Sequence, residues 1–291
     1  MATTYEQWDI VSSVGLTALG VAAARAVETQ RAQPLVRDEF AARFVDAVRP
    51  PTPLPTSWDE LGEEDSAWRY MIDYMALRTR FLDDYFAGVG VDQVVILAAG
   101  LDARAFRLDW PSGCDLYEID QPKVLEFKQQ VVDEVGARPR CRWHPVPTDL
   151  RDDWVAALTV AGFDPARPTA WLAEGLLAYL PGRAEEELFE RVHELSAPAS
   201  TLAVERSGRR DTDQMQKHPM FARMAERFGV NIGELFNTEP RRDFVEWIGS
   251  VGWDVTVHPV PELERRYHRT LVPEIRDMMA HNAFVVANWT S

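Results

Sequence analysis

Two cysteines in 291 residues, Cys114 and Cys141, are too few and too far apart in the chain for a zinc site or a disulfide framework. They suit a reducing compartment, where free cysteine serves as a small buried apolar residue. Positive charge is short as well: 31 Lys and Arg face 46 Asp and Glu, a formal net charge of −15. A nucleic-acid backbone or an anionic membrane needs a basic patch, so neither is expected as the main partner. The apolar stretch 10–27 lacks the basic flank of a secretory leader, because Glu6 and Asp9 precede it. Ser12, Ser13, Thr17 and Arg25 lie within it, which weakens a membrane-span reading. It reads as a partly buried helix of a cytoplasmic protein. No repeats or low-complexity tracts occur.

What is present is a globular composition, 46% hydrophobic and 26% charged. Helical patterns fill the first ninety residues: 14–31, a stretch from Asp38 to about Val48, and Ser66 to Phe86. A stiff proline-rich segment, 50–55, separates the second from the third. These read as a helical cap over residues 1–90. From residue 91 to the end, short apolar runs alternate with helical patterns. The predicted strands are Gln93–Ala98, Asp115–Ile119, Arg140–Val146, Ala170–Ala173, Thr201–Glu205, Trp253–Val257 and Ala283–Trp289. Helices are expected at Pro122–Glu134, Asp152–Ala161, Arg183–Leu195 and Arg241–Val251. Alternation of this kind predicts an α/β fold with a mostly parallel sheet, the two late strands forming a hairpin at its edge. The stretch 211–237 breaks the rhythm and is rich in Met and Phe. It reads as an amphipathic helix pair on the core, or as an insertion, about 207–240, that covers the substrate.

Four carboxylates fall where predicted strands end. Asp102 follows Gly100, Asp120 ends LYEID, Asp149 follows PVPT and Glu174 ends TAWLAE. Ligands of open α/β sheets bind at those carboxyl ends. Asp120 lies twenty residues after the glycine turn, the usual place of the acid that accepts ribose hydroxyls. Each acid alone could cap a helix, Asp149 the one near Asp152 in particular. A dinucleotide site would need G-x-G-x-x-G, whereas the run here is Ala98-Ala99-Gly100-Leu101-Asp102-Ala103. One glycine, with an acid where a diphosphate would be repelled, favours a nucleoside ligand without phosphates. S-adenosyl-L-methionine is such a ligand, and its cationic sulfonium suits a ring of carboxylates.

The segments VVILAAGLDARAFRL, LYEIDQP, PVPTDLRDDW and AWLAEGLLAYLP, in this order, resemble motifs of the bacterial S-adenosyl-L-methionine-dependent methyltransferases related to leucine carboxyl methyltransferase. WDIVSSVGLTALGVAAARAVET, RDEFAARFV and RTRFLDDYF are similar to that family too, so the resemblance covers most of the chain. It implies a Rossmann-like methyltransferase sheet of seven strands, mostly parallel with the last antiparallel, carrying a helical N-terminal cap and a helical insertion. It implies that Gly100 lies against the cofactor, that Asp120 holds the ribose, and that Asp149 with Leu150 flanks the adenine. Arg78 would pair with the cofactor's carboxylate, and Glu174 would lie near the methionine moiety. Without the resemblance, Arg78 reads as half of an ion pair within its own helix. Ala98 departs from the family, many members of which carry Gly there.

The expected reaction is methyl transfer to an oxygen nucleophile, a carboxylate or hydroxyl on a small molecule or peptide. A carboxylate acceptor needs no base, whereas a hydroxyl does. None of His144, His193, His218, His258, His268 and His281 stands in a motif that marks a base, so none is assigned. Tyr179, Met215 and Phe221 are candidates for the acceptor pocket. The rival readings are an NAD(P)-dependent oxidoreductase, a non-catalytic S-adenosyl-L-methionine-binding protein, and a purely structural module.

Overall fold

The computed structural model describes residues 13–48, 53–62, 65–206, 235–272, 276 and 282–290. Its centre is a seven-stranded sheet in the order β3-β2-β1-β4-β5-β7-β6. The strands are β1 (Gln93–Leu97), β2 (Asp115–Asp120), β3 (Arg142–Pro147), β4 (Ala170–Ala173), β5 (Thr201–Arg206), β6 (Trp253–Pro259) and β7 (Ala283–Trp289). β1 to β5 pair in parallel, and β7 runs antiparallel to both β5 and β6. The late strands do pair with each other, but β7 lies inside the sheet between β5 and β6, so that only β6 forms the edge.

β1 and β4 are buried along their whole length, as their unbroken apolar runs require. On one face of the sheet Val94, Ile96 and Leu116 meet α1 (Ser13–Thr29), α3 (Ser66–Gly88), α5 (Pro122–Glu134) and α9 (Val260–Arg266). On the other, Val95, Leu97, Tyr117 and Ile119 meet α6 (Trp154–Val160), α7 (Gly182–Glu194) and α8 (Phe244–Ser250). The alternation of side chains along each strand sorts them between these two cores. α1 also packs on α2 (Ala41–Val48) and α3, and this early helical layer shares its core with the sheet. A short α4 (Arg104–Arg107), outside the sequence prediction, follows β1. α6 begins at Trp154 with Asp153 as its cap, so Asp149 is not that helix's cap.

Cys114 and Cys141 immediately precede the paired strands β2 and β3. Burial pushes their thiols up, to about 11 and about 12, so both stay protonated and inert at neutral pH. The edge strand β3 carries Pro145 and Pro147, which remove two ladder donors and blunt that edge against further pairing. Segment 207–234 lies outside the described residues, and with it most of the Met- and Phe-rich stretch, including Met215 and Phe221.

One ion pair sits wholly inside the first core. Lys128 of α5 donates from Nζ to Glu118 Oε2 of β2 at 2.5 Å, and neither side chain is exposed. Burial pushes the Glu118 carboxyl up, and Lys128 opposes that rise. Removing one partner strands the other, while replacing both by apolar residues does not. Lys128→Met should therefore cost about 3–5 kcal/mol in urea unfolding, and Lys128→Met combined with Glu118→Leu should recover most of that loss.

Candidate functional site

The order of strands reverses between β1 and β4, and an open α/β sheet leaves a crevice outside that point. Here it is a cavity of about 660 Å3. Arg78, Gly100, Asp120, Asp149, Leu150, Glu174 and Tyr179 all line it. The early helical layer closes one side through Gly15, Ala18 and Val21 of α1.

The loop after β1 is made to let something approach. Ala98 and Gly100 both take left-handed backbone, with φ of 51° and 52°. For Gly100 that is free; Ala98 bears a penalty of about 1–2 kcal/mol. The Gly100 N–H is already spent, donating to Asp120 Oδ2 at 2.6 Å, while Gln121 N donates to Oδ1 at 2.7 Å. Asp102 fills the start of α4, its Oδ1 accepting from Arg104 N at 2.6 Å. A pyrophosphate would find neither a free loop N–H at Gly100 nor an open helix terminus. Burial pushes the Asp120 carboxyl above its ordinary value, and the two N–H groups hold it back. Each of its oxygens keeps a lone pair beyond these bonds, which suits the two hydroxyls of a ribose.

Asp149 is held by Arg151, whose Nε and Nη2 reach its two oxygens at 2.8 and 2.6 Å. Gln121 Nε2 adds a bond at 3.0 Å, joining the β2 and β3 ends of the site. Although burial opposes it, Arg151 holds the Asp149 carboxyl below its usual range. Leu150 presents the adjoining apolar surface.

Across the cavity Glu174 joins two buried guanidiniums. Its Oε1 accepts from Arg78 Nε at 2.6 Å and its Oε2 from Arg104 Nη1 at 2.7 Å. Against burial, Arg104 and Arg78 hold its carboxyl down at about 2. Arg104 also binds Asp102 and, through Nε at 2.8 Å, Asp83. Arg107 takes both oxygens of Asp83, at 2.5 and 2.6 Å. Arg78 reaches on to Glu205, at the end of β5, through Nη1 at 3.0 Å. Glu205 further accepts from Gly175 N at 2.8 Å and from the Tyr74 hydroxyl at 2.6 Å. Arg78 thus pairs with acids from two strand ends and not with one on its own helix. Gly175, at φ 64°, takes left-handed backbone that a side chain would strain, and a Cβ there would touch the Arg78 guanidinium at 3.4 Å.

Sequence reasoning overlooked Glu205, although it ends the predicted strand TLAVE as the other acids end theirs. Arg25, on α1, was also overlooked; its guanidinium binds Asp38 at 2.8 Å and the Leu101 carbonyl at 2.7 Å, tying the early helical layer to the β1 loop. Tyr179 lies in a turn covered by the segment that follows residue 234, its ring 5.6 Å from that of Phe236. Among the described residues no His, Lys or Cys lines the cavity, and no group of three potential metal ligands occurs.

The model of the leucine carboxyl methyltransferase family matches residues 18–193. A relative from Rhodococcus jostii (strain RHA1), named as an S-adenosyl-L-methionine-dependent methyltransferase, is 47% identical over 99% of both chains. One of the same description from Mycobacterium tuberculosis (strain ATCC 25618 / H37Rv) is 45% identical over 98% of both. Among solved structures, a protein of Thermobifida fusca described as a methyltransferase shares the fold, with a TM-score of 0.54 at 15% identity over 94% of each chain.

Two expectations follow from this geometry. Glu174→Gln leaves Arg78 and Arg104 one negative charge short and should cost about 3–5 kcal/mol in urea unfolding at pH 7. The Glu174 carboxyl sits at about 2 in the fold against 4.5 ordinarily, so its contribution is complete above pH 4.5 and lost as the pH falls through about 2. The gap between wild type and variant should therefore be flat above that range and narrow below it. Ala98→Gly relieves the left-handed strain, less the entropy glycine adds to the unfolded chain, and should stabilise by roughly 0.5–1 kcal/mol.

Proposed function

Since the chain belongs to the leucine carboxyl methyltransferase family and is an S-adenosyl-L-methionine-dependent methyltransferase, we propose that it methylates an oxygen of a small molecule or peptide, a carboxylate in preference to a hydroxyl. One observation carries the preference: among the described residues, the cavity is lined by no His, Lys or Cys that would deprotonate a hydroxyl. Of the carboxylates there, Arg104 and Arg78 hold Glu174 at about 2 and Arg151 holds Asp149 low, while Asp120, which burial pushes up, is assigned below to the ribose. A carboxylate acceptor arrives ionised and needs no base.

The residues fit the cofactor. Asp120 takes the ribose hydroxyls with the lone pairs its backbone bonds leave. Asp149 and Leu150 flank the adenine, and Gly100 allows the close backbone approach. Arg78, fixed by Glu174 and Glu205, keeps its Nη2 for the cofactor's carboxylate. Glu174, held ionised near neutral pH by Arg104 and Arg78, offers negative charge to the cationic methionine end. When bound, the cofactor supplies an activated methyl: an acceptor oxygen's lone pair forms the new O–C bond as the C–S bond breaks, its electron pair staying on sulfur. The chain's part is to hold the acceptor oxygen in line and to exclude water, and α1 supplies a wall for that purpose.

A cytoplasmic place of action accords with the chain. Among the described residues no helix is long and apolar enough to cross a membrane, and the net charge of −15 disfavours nucleic acid or an anionic membrane as partner.

Asp120→Asn keeps the side chain's size, removes the charge that strengthens the two ribose hydrogen bonds, and sets an NH2 against one of the two backbone N–H groups of Gly100 and Gln121. Hydrogen bonds to a charged group are worth about 1.5–3 kcal/mol, so S-adenosylhomocysteine should bind roughly 10–100-fold more weakly by calorimetry with the fold retained. Unaltered affinity would remove Asp120 from the ribose.

A further inference from the structure

Beyond the cofactor-facing acids, the cavity wall changes character. Leu176, Tyr179, Leu180, Pro181 and Ala184 make it apolar, and Asn237 adds an amide. The guanidiniums that line the cavity all carry acids of the chain itself: Arg25 with Asp38, Arg78 with Glu174 and Glu205, Arg104 and Arg107 with Asp83, and Arg151 with Asp149. Arg78 Nη2 is assigned above to the cofactor, and an acceptor's carboxylate would compete with those acids for the other guanidinium groups. A neutral donor on the apolar wall does not impose that competition.

Asn237 is built into the wall and not hung from it. Its N–H donates to the Ala178 carbonyl at 2.8 Å, and its own carbonyl accepts from Arg241 Nη2 at 3.1 Å. Arg241 is fixed in turn by Glu185 and by the carbonyls of Leu177 and Leu180. The contact is close enough that a Cβ on Gly182 would lie 2.2 Å from the Pro240 carbonyl. The amide's orientation is fixed as well, because Oδ1 accepts from Glu239 N at 2.9 Å, which only an oxygen can do. That leaves the Nδ2 hydrogens, and among the described residues they find no acceptor.

We propose that Asn237 orients the methyl acceptor, its Nδ2 amide donating to the acceptor's carboxylate while the apolar wall takes the acceptor's body. This rests on the cofactor and carboxylate assignments above. The acceptor class it selects is a monocarboxylate on an apolar body. A second acidic group would meet a wall with no uncommitted cation among the described residues. The donor holds one carboxylate oxygen and leaves the other for the methyl group.

Asn237→Asp tests this without dismantling the bonds that hold residues 237–241 on the wall, since Asp still accepts from Glu239 N. It removes the donor and sets a negative charge against the acceptor. The measurement is calorimetric titration of octanoate, phenylacetate and N-acetylleucine into protein saturated with S-adenosylhomocysteine. The wild-type complex is expected to bind at least one of them. The variant is expected to bind that acid at least tenfold more weakly, with S-adenosylhomocysteine affinity and thermal midpoint within error of wild type. Octanamide, a neutral control, should lose less than octanoate, and Asn237→Ser, which retains a donor, should recover part of the loss. Equal binding of the acids by wild type and Asn237→Asp overturns the proposal, as does a wild-type complex that binds none of them. A protein that fails to bind S-adenosylhomocysteine at all would overturn the cofactor assignment, and this proposal with it.

Discussion

Glu174 is a single carboxylate shared between two buried guanidiniums, and the site's construction follows from that sharing. Arg78 comes from α3 and Arg104 from the turn after β1, so the bridge joins the early helical layer, β1 and β4. None of the three ions is tolerable there alone, since burying a charge without a partner costs several kcal/mol. Together they fix one another. Glu205 and Asp83 extend the chain of charges to β5 and along α3. The cavity beside them is consequently pre-formed, with side chains that need little reorganisation when a ligand enters.

The same economy governs the loop after β1. A nucleotide-binding loop ordinarily leaves its N–H groups for phosphate. Here Asp120 takes the N–H of Gly100, and Asp102 takes that of Arg104. The loop is satisfied from within, and what it offers a ligand is oxygen lone pairs and a close backbone. That is the complement of a sugar diol and a cation, and not of a diphosphate. The missing glycines of the fingerprint and the acid among the remaining positions are one and the same adaptation.

Much of this was legible in the chain. Evenly apolar runs located the buried central strands β1 and β4, because buried parallel strands tolerate little else, and alternation of short runs with helical patterns placed the remaining strands to within about two residues. The acids at strand ends located the crevice, since an apolar strand that stops on a carboxylate has reached solvent or a ligand. Arg78 came from resemblance alone; its partners are brought together only by the crossovers of the sheet. Arg104 could not be assigned for the same reason, as Glu174 lies 70 residues away in sequence. Asn237 carried no signal at all. It is one amide beside a phenylalanine at the end of a stretch that read either as amphipathic packing or as an insertion covering the substrate, and neither reading singled it out. Its place at the cavity depends on Gly182, a residue whose lack of a side chain has meaning only once Pro240 is seen against it.

The position of β7 has a kinetic consequence. During synthesis the chain has emitted β1 to β6 before it makes the strand that must lie between β5 and β6. Until then the outer edge of β5 has no partner, and β6 has nowhere to dock. Thr201 meets Asn288 across that seam, and Val204 meets Val285. Closing so long a loop is slow, and it gains its reward only when both edges of β7 zip together. Glu205, which holds Arg78, lies on β5 beside that seam and opposite Phe284, so a nascent chain folded only as far as β5 leaves that flank of the sheet open and adhesive.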